Sequence, residues 1–289
     1  MDPAPDVRPV SYRRLLLRRL SKSPLTLVGM AIFGFFLLTA VIGPWIAPYE
    51  YQNQNIMDRL EPPSAKYFFG TDQFGRDIFS RILVGSRGIF LLGGTGTLLA
   101  ALIGATIGLF SGYYGGLMDE LIMRTLDILL SFPPLLLALV LLAALGPSLV
   151  NLVAVVTILY VPMLARVVRS MVLDLKTKEF VEAARTRGES QFYILFREIL
   201  PNALAPVFVE MSMRFSYAIF LVASLGFLGL GQQPPSPDWG LQINEARSYF
   251  SSAPWMLLFP AGAISLLVVA TNLMSDGIRQ ILQPSMGKG

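Results

Sequence analysis

The chain has 289 residues, of which 54% are hydrophobic and 15% are charged, with a net charge of +4 and a mean hydropathy of +0.59. Soluble domains carry about 25% charged residues, so this composition indicates a protein whose solvent is largely lipid. The sequence contains no Cys and no His, which excludes disulfides, thiolate catalysis, the common zinc sites and imidazole acid–base chemistry.

The N-terminal residues 1–24 are basic, and the run SYRRLLLRRL at 11–20 is amphipathic. We expect this arm to lie on the anionic cytoplasmic leaflet. The uncharged stretch that follows, 23–49, is too long for a signal-peptide core of about 7–15 residues, and no small-residue cleavage site follows a short core. The stretch therefore predicts a retained first transmembrane helix.

Uncharged stretches recur along the chain, and a helix that spans a bilayer needs about 20 apolar residues. The stretch 128–165 is long enough for two helices and is interrupted by the turn signal Gly146-Pro147-Ser148. The sequence therefore predicts an all-α membrane protein with six transmembrane helices. Their predicted bounds are 25–47, 88–112, 127–145, 149–169, 203–231 and 254–276.

Most of the 23 Lys and Arg lie in the N-terminal arm and in alternate loops. By the positive-inside rule, both termini are predicted to be cytoplasmic. The loops 48–87 and 232–253 are then extracytoplasmic, and Trp239 and Trp255 are expected in the interfacial aromatic belt. The residues 88–276 are predicted to form a five-helix core with a cytoplasmic loop at 177–201, and 277–289 a cytoplasmic tail.

Two features lie inside predicted spans. Gly104, Gly108 and Gly112 recur every four residues in the second span, which favours close helix packing over a pore-lining role. Glu210 and Arg214 lie four residues apart in the fifth. They are interpreted as a self-neutralising pair near the interface, with substrate contact as the alternative.

The loop 177–201 reads TKEFVEAARTRGESQFYILFREILP. Thr177 is a predicted N-cap, and Gly188 is predicted to end the first helix. Ser190 would cap a second helix that runs to Leu200 and is ended by Pro201. This link is far longer than the usual two to eight residues between helices.

The first of these helices combines two small residues, Ala183 and Ala184, with the aromatic Phe180. Small side chains allow another surface to approach closely, and an exposed aromatic suits a pocket. The periodicity alone leaves two interpretations open, a docking surface and a helix that lies on the membrane.

Upstream of the second span, Asp72 with Arg76 and Asp77 with Arg81 are spaced four residues apart. In a helix these pairs are often solvated surface charge that contributes a few tenths of a kcal/mol. A structural role in the fold of the outer loop is favoured here over substrate contact.

Glu182-Ala183-Ala184, Gly188 and Leu200-Pro201 together resemble the EAA loop of the membrane subunits of ATP-binding-cassette (ABC) importers. The resemblance implies that the loop is a coupling helix seated in a cleft of a cytoplasmic ATPase. The corresponding coupling residues are Phe180, Glu182, Ala183, Ala184, Gly188, Leu200 and Pro201.

The N-terminal segment, with its short basic arm, one span and the exit Pro44-x-Ile46-Ala47-Pro48, resembles the C-type subunit of the dipeptide/oligopeptide/nickel importer group. A second motif resembles the signature ahead of the second span in the same group. Its residues are Gly70, Thr71, Asp72, Gly75, Arg76 and Asp77. The resemblance implies a type I importer permease fold and import of di- and oligopeptides. It also implies a related second permease, two cytoplasmic ATPase subunits that hold ATP and Mg, and an extracytoplasmic peptide-binding protein.

On this interpretation the chain carries no catalytic residue, no metal site and no cofactor, and its other contacts are with lipid and not with nucleic acid. A gradient-driven carrier is the first alternative, but only Glu210 and Arg214 could serve as an ionisable relay. A membrane-embedded enzyme is the second, and it lacks a catalytic constellation. The chain has no G-x-x-x-x-G-K-[ST] string that would bind ATP itself.

Overall fold

The computed structural model describes residues 23–282, which form helices and one isolated β-bridge between Thr71 and Asp77. Nearly all of the predicted basic arm 1–24, and residues 283–289 of the predicted tail, lie outside this range. The helices are α1 (Pro24–Ile46), α2 (Ile78–Ile89), α3 (Thr95–Tyr114), α4 (Gly116–Leu130), α5 (Pro134–Leu145), α6 (Leu149–Leu175), α7 (Glu179–Thr186), α8 (Gln191–Tyr193), α9 (Leu200–Phe227), α10 (Trp239–Ala246) and α11 (Trp255–Leu282).

The helix of the second span begins earlier than predicted. A π-helical segment, Phe90–Gly94, joins α2 to α3 in one continuous helix, Ile78–Tyr114. The predicted loop 48–87 therefore ends at Asp77, whose side chain caps α2 by accepting from the Ser80 N–H at 2.8 Å. The prediction placed the boundary too late because it took the arginines after Asp77 for loop residues.

The predicted third span is broken. Helices α4 and α5 are bent by 89° where they meet at Ser131–Pro133. Proline fixes its own φ and disfavours a helical conformation in the residue before it, so Pro133-Pro134 cannot continue α4. Within residues 23–282, five helices are long and apolar enough to cross a membrane, or six if this bent pair is one span.

Large apolar side chains cover the outside of the bundle. Leu25 is 65% exposed, Val140 65% and Val150 77%. Such extensive apolar surface is unusual on a soluble monomer and is expected where lipid tails are the solvent.

The glycine stripe of α3 packs closely against a neighbouring helix, as predicted, and that helix is α6. A Cβ at Gly108 would lie 2.4 Å from the Ala165 carbonyl oxygen, and one at Gly104 2.9 Å from Leu164 Cβ. Hydrogen in place of a side chain therefore permits the close approach of these two helices.

Candidate functional site

Helix α7 has sharply defined ends. Lys178, and not Thr177, is the N-cap, while the Thr177 hydroxyl donates to the Asp174 carbonyl at 2.8 Å. Gly188 has a φ of +78° and its N–H donates to the Arg185 carbonyl at 2.9 Å. The Glu189 N–H donates to the Ala184 carbonyl at 3.2 Å. These two bonds form a Schellman motif, so the predicted glycine stop is confirmed.

One face of α7 packs against the bundle. Val181 and Ala184 are fully buried in a cluster with side chains of α3, α6, the Ile194–Ile199 segment and α9. The prediction that Ala184 belongs to the contact face is therefore wrong, because its methyl group points into the protein. Glu182 and Ala183 are exposed, and Phe180 is 36% exposed.

The segment after Gly188 differs from the prediction in how it ends. Ser190 caps its helix by accepting from the Tyr193 N–H at 3.2 Å, as expected. The helix does not stop at Pro201 but runs without a break from Gln191 to Phe227. The π-helical segment Ile194–Ile199, closed by a bond from the Leu200 N–H to the Leu195 carbonyl, precedes the proline. The wider turn shifts the backbone register so that Pro201 enters the helix without ending it.

Leu200 and Pro201 lie in different environments. The Leu200 side chain is half-buried and packs against the cluster beneath α7, whereas Pro201 is exposed. The loop therefore offers an outer surface, formed by Glu182 and Ala183 with Phe180 at its edge, on a base of buried apolar side chains. We call this the α7 surface.

The motif before α2 is buried as a unit at the end of the bundle that carries α10. All six of its residues, Gly70, Thr71, Asp72, Gly75, Arg76 and Asp77, are buried. Gly75 has a φ of +72°, and a Cβ there would lie 1.8 Å from the Asn55 carbonyl oxygen. The Thr71 hydroxyl accepts from the Glu61 N–H at 2.9 Å, and Gly70 abuts the Trp255 ring. These contacts support the predicted structural role.

The charge pairs of this motif differ from the predicted helical pairs. Asp72 accepts from Arg76 Nε at 2.5 Å, but in a turn and not in a helix. Asp77 caps α2, and Arg81 lies instead 3.9 Å from Glu245 and 4.0 Å from Asp72. Arg76 and Arg81 are 2% and 1% exposed, so these arginines are buried and are not solvated surface charge.

Three residues of the segment after α9, of which two are buried and Glu245 is half-buried, were not recognised from the sequence as tertiary contacts. Glu245 pairs with Arg76, and Trp239 donates from Nε1 to the Ile82 carbonyl at 3.0 Å. Trp239 is fully buried, so the prediction that it lies in the aromatic belt is wrong.

Asp238 caps α10 by accepting from the Leu241 N–H at 2.8 Å. Burial raises the pKa of Asp238 to about 6. Of the three, only Asp238 carried a local signal, as an N-cap residue just after Pro237.

The Glu210–Arg214 pair forms on α9, with Arg214 Nε donating to Glu210 Oε1 at 2.6 Å. Glu210 is 8% exposed, and Arg214 is half-buried beside a cavity between α9, α5 and α6. The pair is therefore partly buried, at a pocket in the side of the bundle whose rim includes the exposed Tyr217 and Phe220.

Comparison with known proteins identifies the family. The family described as "Binding-protein-dependent transport system inner membrane component" matches residues 104–288, and "N-terminal TM domain of oligopeptide transport permease C" matches residues 11–63. The chain belongs to the binding-protein-dependent transport system inner membrane component family. It is thus a permease subunit of an ABC transporter in the cell membrane, and a non-catalytic one.

Several relatives of this permease are similar over nearly its whole length. The Dipeptide transport system permease protein DppC of Alkalihalophilus pseudofirmus is 43% identical, over 99% of this chain and 96% of the relative. The Probable D,D-dipeptide transport system permease protein DdpC of Escherichia coli is 41% identical, over 97% and 96%. The Glutathione transport system permease protein GsiD of Pectobacterium atrosepticum is 44% identical, over 90% and 87%.

Proposed function

We propose that this permease imports di- and oligopeptides by alternating access, driven by separate ATPase subunits that dock on the α7 surface. In this arrangement the chain crosses the membrane six times, with α4 and α5 together as one broken span, and both termini are cytoplasmic. The excess of Lys and Arg at the end of the bundle that carries α7 supports this orientation.

The observation that carries the proposal is that one face of α7 is buried against the bundle and the opposite face is exposed. Its inner side is anchored by Val181 and Ala184, while its outer side leaves Glu182 and Ala183 free to meet a partner. No residue within 23–282 forms an ion pair with Glu182. A force applied to α7 would be transmitted through the packed base to α3, α6 and α9, because packed interiors deform little.

The proposed partners complete what this chain lacks. Two cytoplasmic ATPases would hold ATP and Mg, a related second permease would enclose the other side of the path, and an extracytoplasmic peptide-binding protein would deliver substrate. The peptide substrate is supported by the relatives, whose names specify dipeptide, D,D-dipeptide and glutathione transport. All three are small peptidic molecules with carboxylate groups.

A pair of glycine substitutions tests the coupling surface in the whole transporter. Gly188→Asp is compared with Gly146→Asp, because both glycines follow a helix, with φ values of +78° and +81°, and neither has an atom within 4 Å of an added Cβ. Both variants add one negative charge at a residue of positive φ, and the ψ of 155° at Gly146 makes the control a strained substitution in its own right. We expect ATP-driven peptide uptake into proteoliposomes to be lost only in Gly188→Asp, with both variants inserted and assembled normally.

A charge reversal gives a second comparison. Glu182→Lys lies on the α7 surface, whereas Glu120→Lys alters another exposed glutamate, on α4. We expect Glu182→Lys to weaken ATPase binding and uptake together and Glu120→Lys to change neither. Normal uptake in both Gly188→Asp and Glu182→Lys would contradict the docking assignment.

A further inference from the structure

A cavity of about 350 Å³ lies beside Arg214. One wall is a stripe of α9 in which Arg214, Tyr217, Leu221 and Ser224 recur at intervals of three and four residues, which places them on one helix face. The facing walls are Pro134 and Leu135 of α5, and Tyr160 and Met163 of α6. The size is typical of small-ligand sites, and so is the combination of apolar walls with one convergent charged group.

The two edges of the Arg214 guanidinium are in different environments. Nε and Nη2 both donate to Glu210 Oε1, so this edge is neutralised and its orientation is held. Nη1 donates to the Met163 sulfur at 3.1 Å, and a thioether is a weak acceptor. Within residues 23–282, Nη1 makes no hydrogen bond to an oxygen. One edge of the guanidinium therefore has donor capacity left for a ligand.

The surroundings of Arg214 favour binding of an anion at the guanidinium edge that is not bonded to Glu210. The Tyr217 ring lies 5.6 Å from Arg214 Cζ, which restricts the side chain on another side. The Arg214 side chain is 22% exposed, and that of Glu210 is 10% exposed. Charges act more strongly where water is partly excluded, so a single oriented donor in this cavity can recognise an anion.

We propose that this cavity receives the terminal carboxylate of a peptide in transit, with Arg214 as the donor and Glu210 as the residue that positions it. The proposal rests on the proposed peptide substrate and assigns a contact for it within this chain. A guanidinium edge matches a carboxylate in shape and charge, and the apolar walls can contact the neighbouring peptide side chain. The carboxylate of Glu210 keeps the pair neutral overall, so binding is weak enough for release, as a transport path requires.

The test compares one peptide with a free C-terminal carboxylate and the same peptide with a C-terminal amide. Uptake is measured in proteoliposomes that contain the whole transporter, at concentrations that saturate the binding protein with either form. Because the binding protein is saturated with either peptide, a difference in its affinity for the two does not affect the measured uptake rates. We expect wild type to transport the acid about tenfold faster than the amide, since a charge-assisted hydrogen bond contributes roughly tenfold or more.

The variant Glu210→Gln/Arg214→Gln removes both charges and keeps side chains that can hydrogen-bond. We expect acid uptake to fall about tenfold while amide uptake is unchanged, so that the preference disappears. The matched control is Asp127→Asn/Arg166→Gln, which neutralises an exposed pair between α4 and α6. The control should retain the preference of the wild type for the acid.

Two outcomes would overturn the proposal: a preference that survives in the double variant, or acid and amide uptake that fall together. Should the double variant not fold, Arg214→Lys replaces it. This variant retains the positive charge but loses the planar guanidinium, whose N–H groups can bind both oxygens of a carboxylate. We expect a reduced preference for the acid with unchanged amide uptake. Equal loss for acid and amide in Arg214→Lys would also overturn it. Wild type that transports neither peptide would instead show that the proposed function is wrong.

Discussion

Arg76 Nη2 donates to Glu245 Oε2 at 2.7 Å and so joins the segment before α2 to α10, 169 residues along the chain. The same guanidinium bonds Asp72 at 2.5 Å, and Arg81 lies within 4.0 Å of both carboxylates. Two buried arginines are thus balanced by two carboxylates. This cluster ties the 48–77 segment to the loop between α9 and α11.

Removal of Arg76 is expected to destabilise this end of the molecule strongly. In Arg76→Ala, the buried Asp72 and the half-buried Glu245 lose their nearest cation. Removal of one partner from a buried ion pair typically costs about 3–5 kcal/mol. Arg124→Ala is the control, because its partner Glu120 and Arg124 itself are exposed, and such pairs contribute about 0–1 kcal/mol. Thermal unfolding of the purified protein in detergent measures both, and equal melting temperatures would contradict the prediction.

A buried and an exposed tryptophan are expected to contribute differently to stability. Trp239 is fully buried against the ring of Phe36, whereas Trp45 is 79% exposed. We expect Trp239→Ala to lower the free energy of unfolding by about 3–5 kcal/mol, since it leaves a cavity and the Ile82 carbonyl loses a donor. Trp45→Ala should change it little. A comparable loss in both variants would show that Trp239 is not part of a packed core.

Two glycines in membrane helices test close packing. A Cβ at Gly108 would lie 2.4 Å from a backbone oxygen of α6, whereas one at Gly34 of α1 would meet no atom within 4 Å. Gly108→Ala should therefore destabilise the protein by about 1–3 kcal/mol by overpacking, measured as a lower melting temperature. Gly34→Ala should be neutral or slightly stabilising because alanine favours a helix. The reverse order of the two variants would be inconsistent with this interface.

Asp238 makes stability depend on pH. Its pKa is raised from 3.8 to about 6 by complete burial, so the folded state favours the protonated form. The stabilisation from this group is fully present below pH 4 and is lost as pH rises through 6, with a total of about 3 kcal/mol.

The variant Asp238→Asn removes this titration but retains the amide oxygen that can cap α10 through Leu241. We therefore expect the variant to gain stability relative to wild type as pH rises from 4 to 7. The measurement is the difference in melting temperature between the two proteins across this range. A difference that does not vary with pH would contradict the assignment.

The local signals in the sequence predicted local structure well. Gly188 ends α7 and Ser190 caps the next helix, as their residue types indicate. The glycine repeat at 104, 108 and 112 marked a packing face. Each of these features depends on residues within one or two helical turns, so a single sequence is sufficient to recognise it.

By itself, the sequence determined the lipid environment of this protein, most of its membrane helices and the position of the α7 loop. Only the tertiary structure decided that Ala184 faces inward, that Arg76 pairs with Glu245, and that one edge of Arg214 faces a cavity. The physical reason is distance along the chain. Hydropathy and helix caps depend on neighbouring residues, whereas a buried charge acquires its partner, and an alanine its side of the helix, only when distant segments pack together.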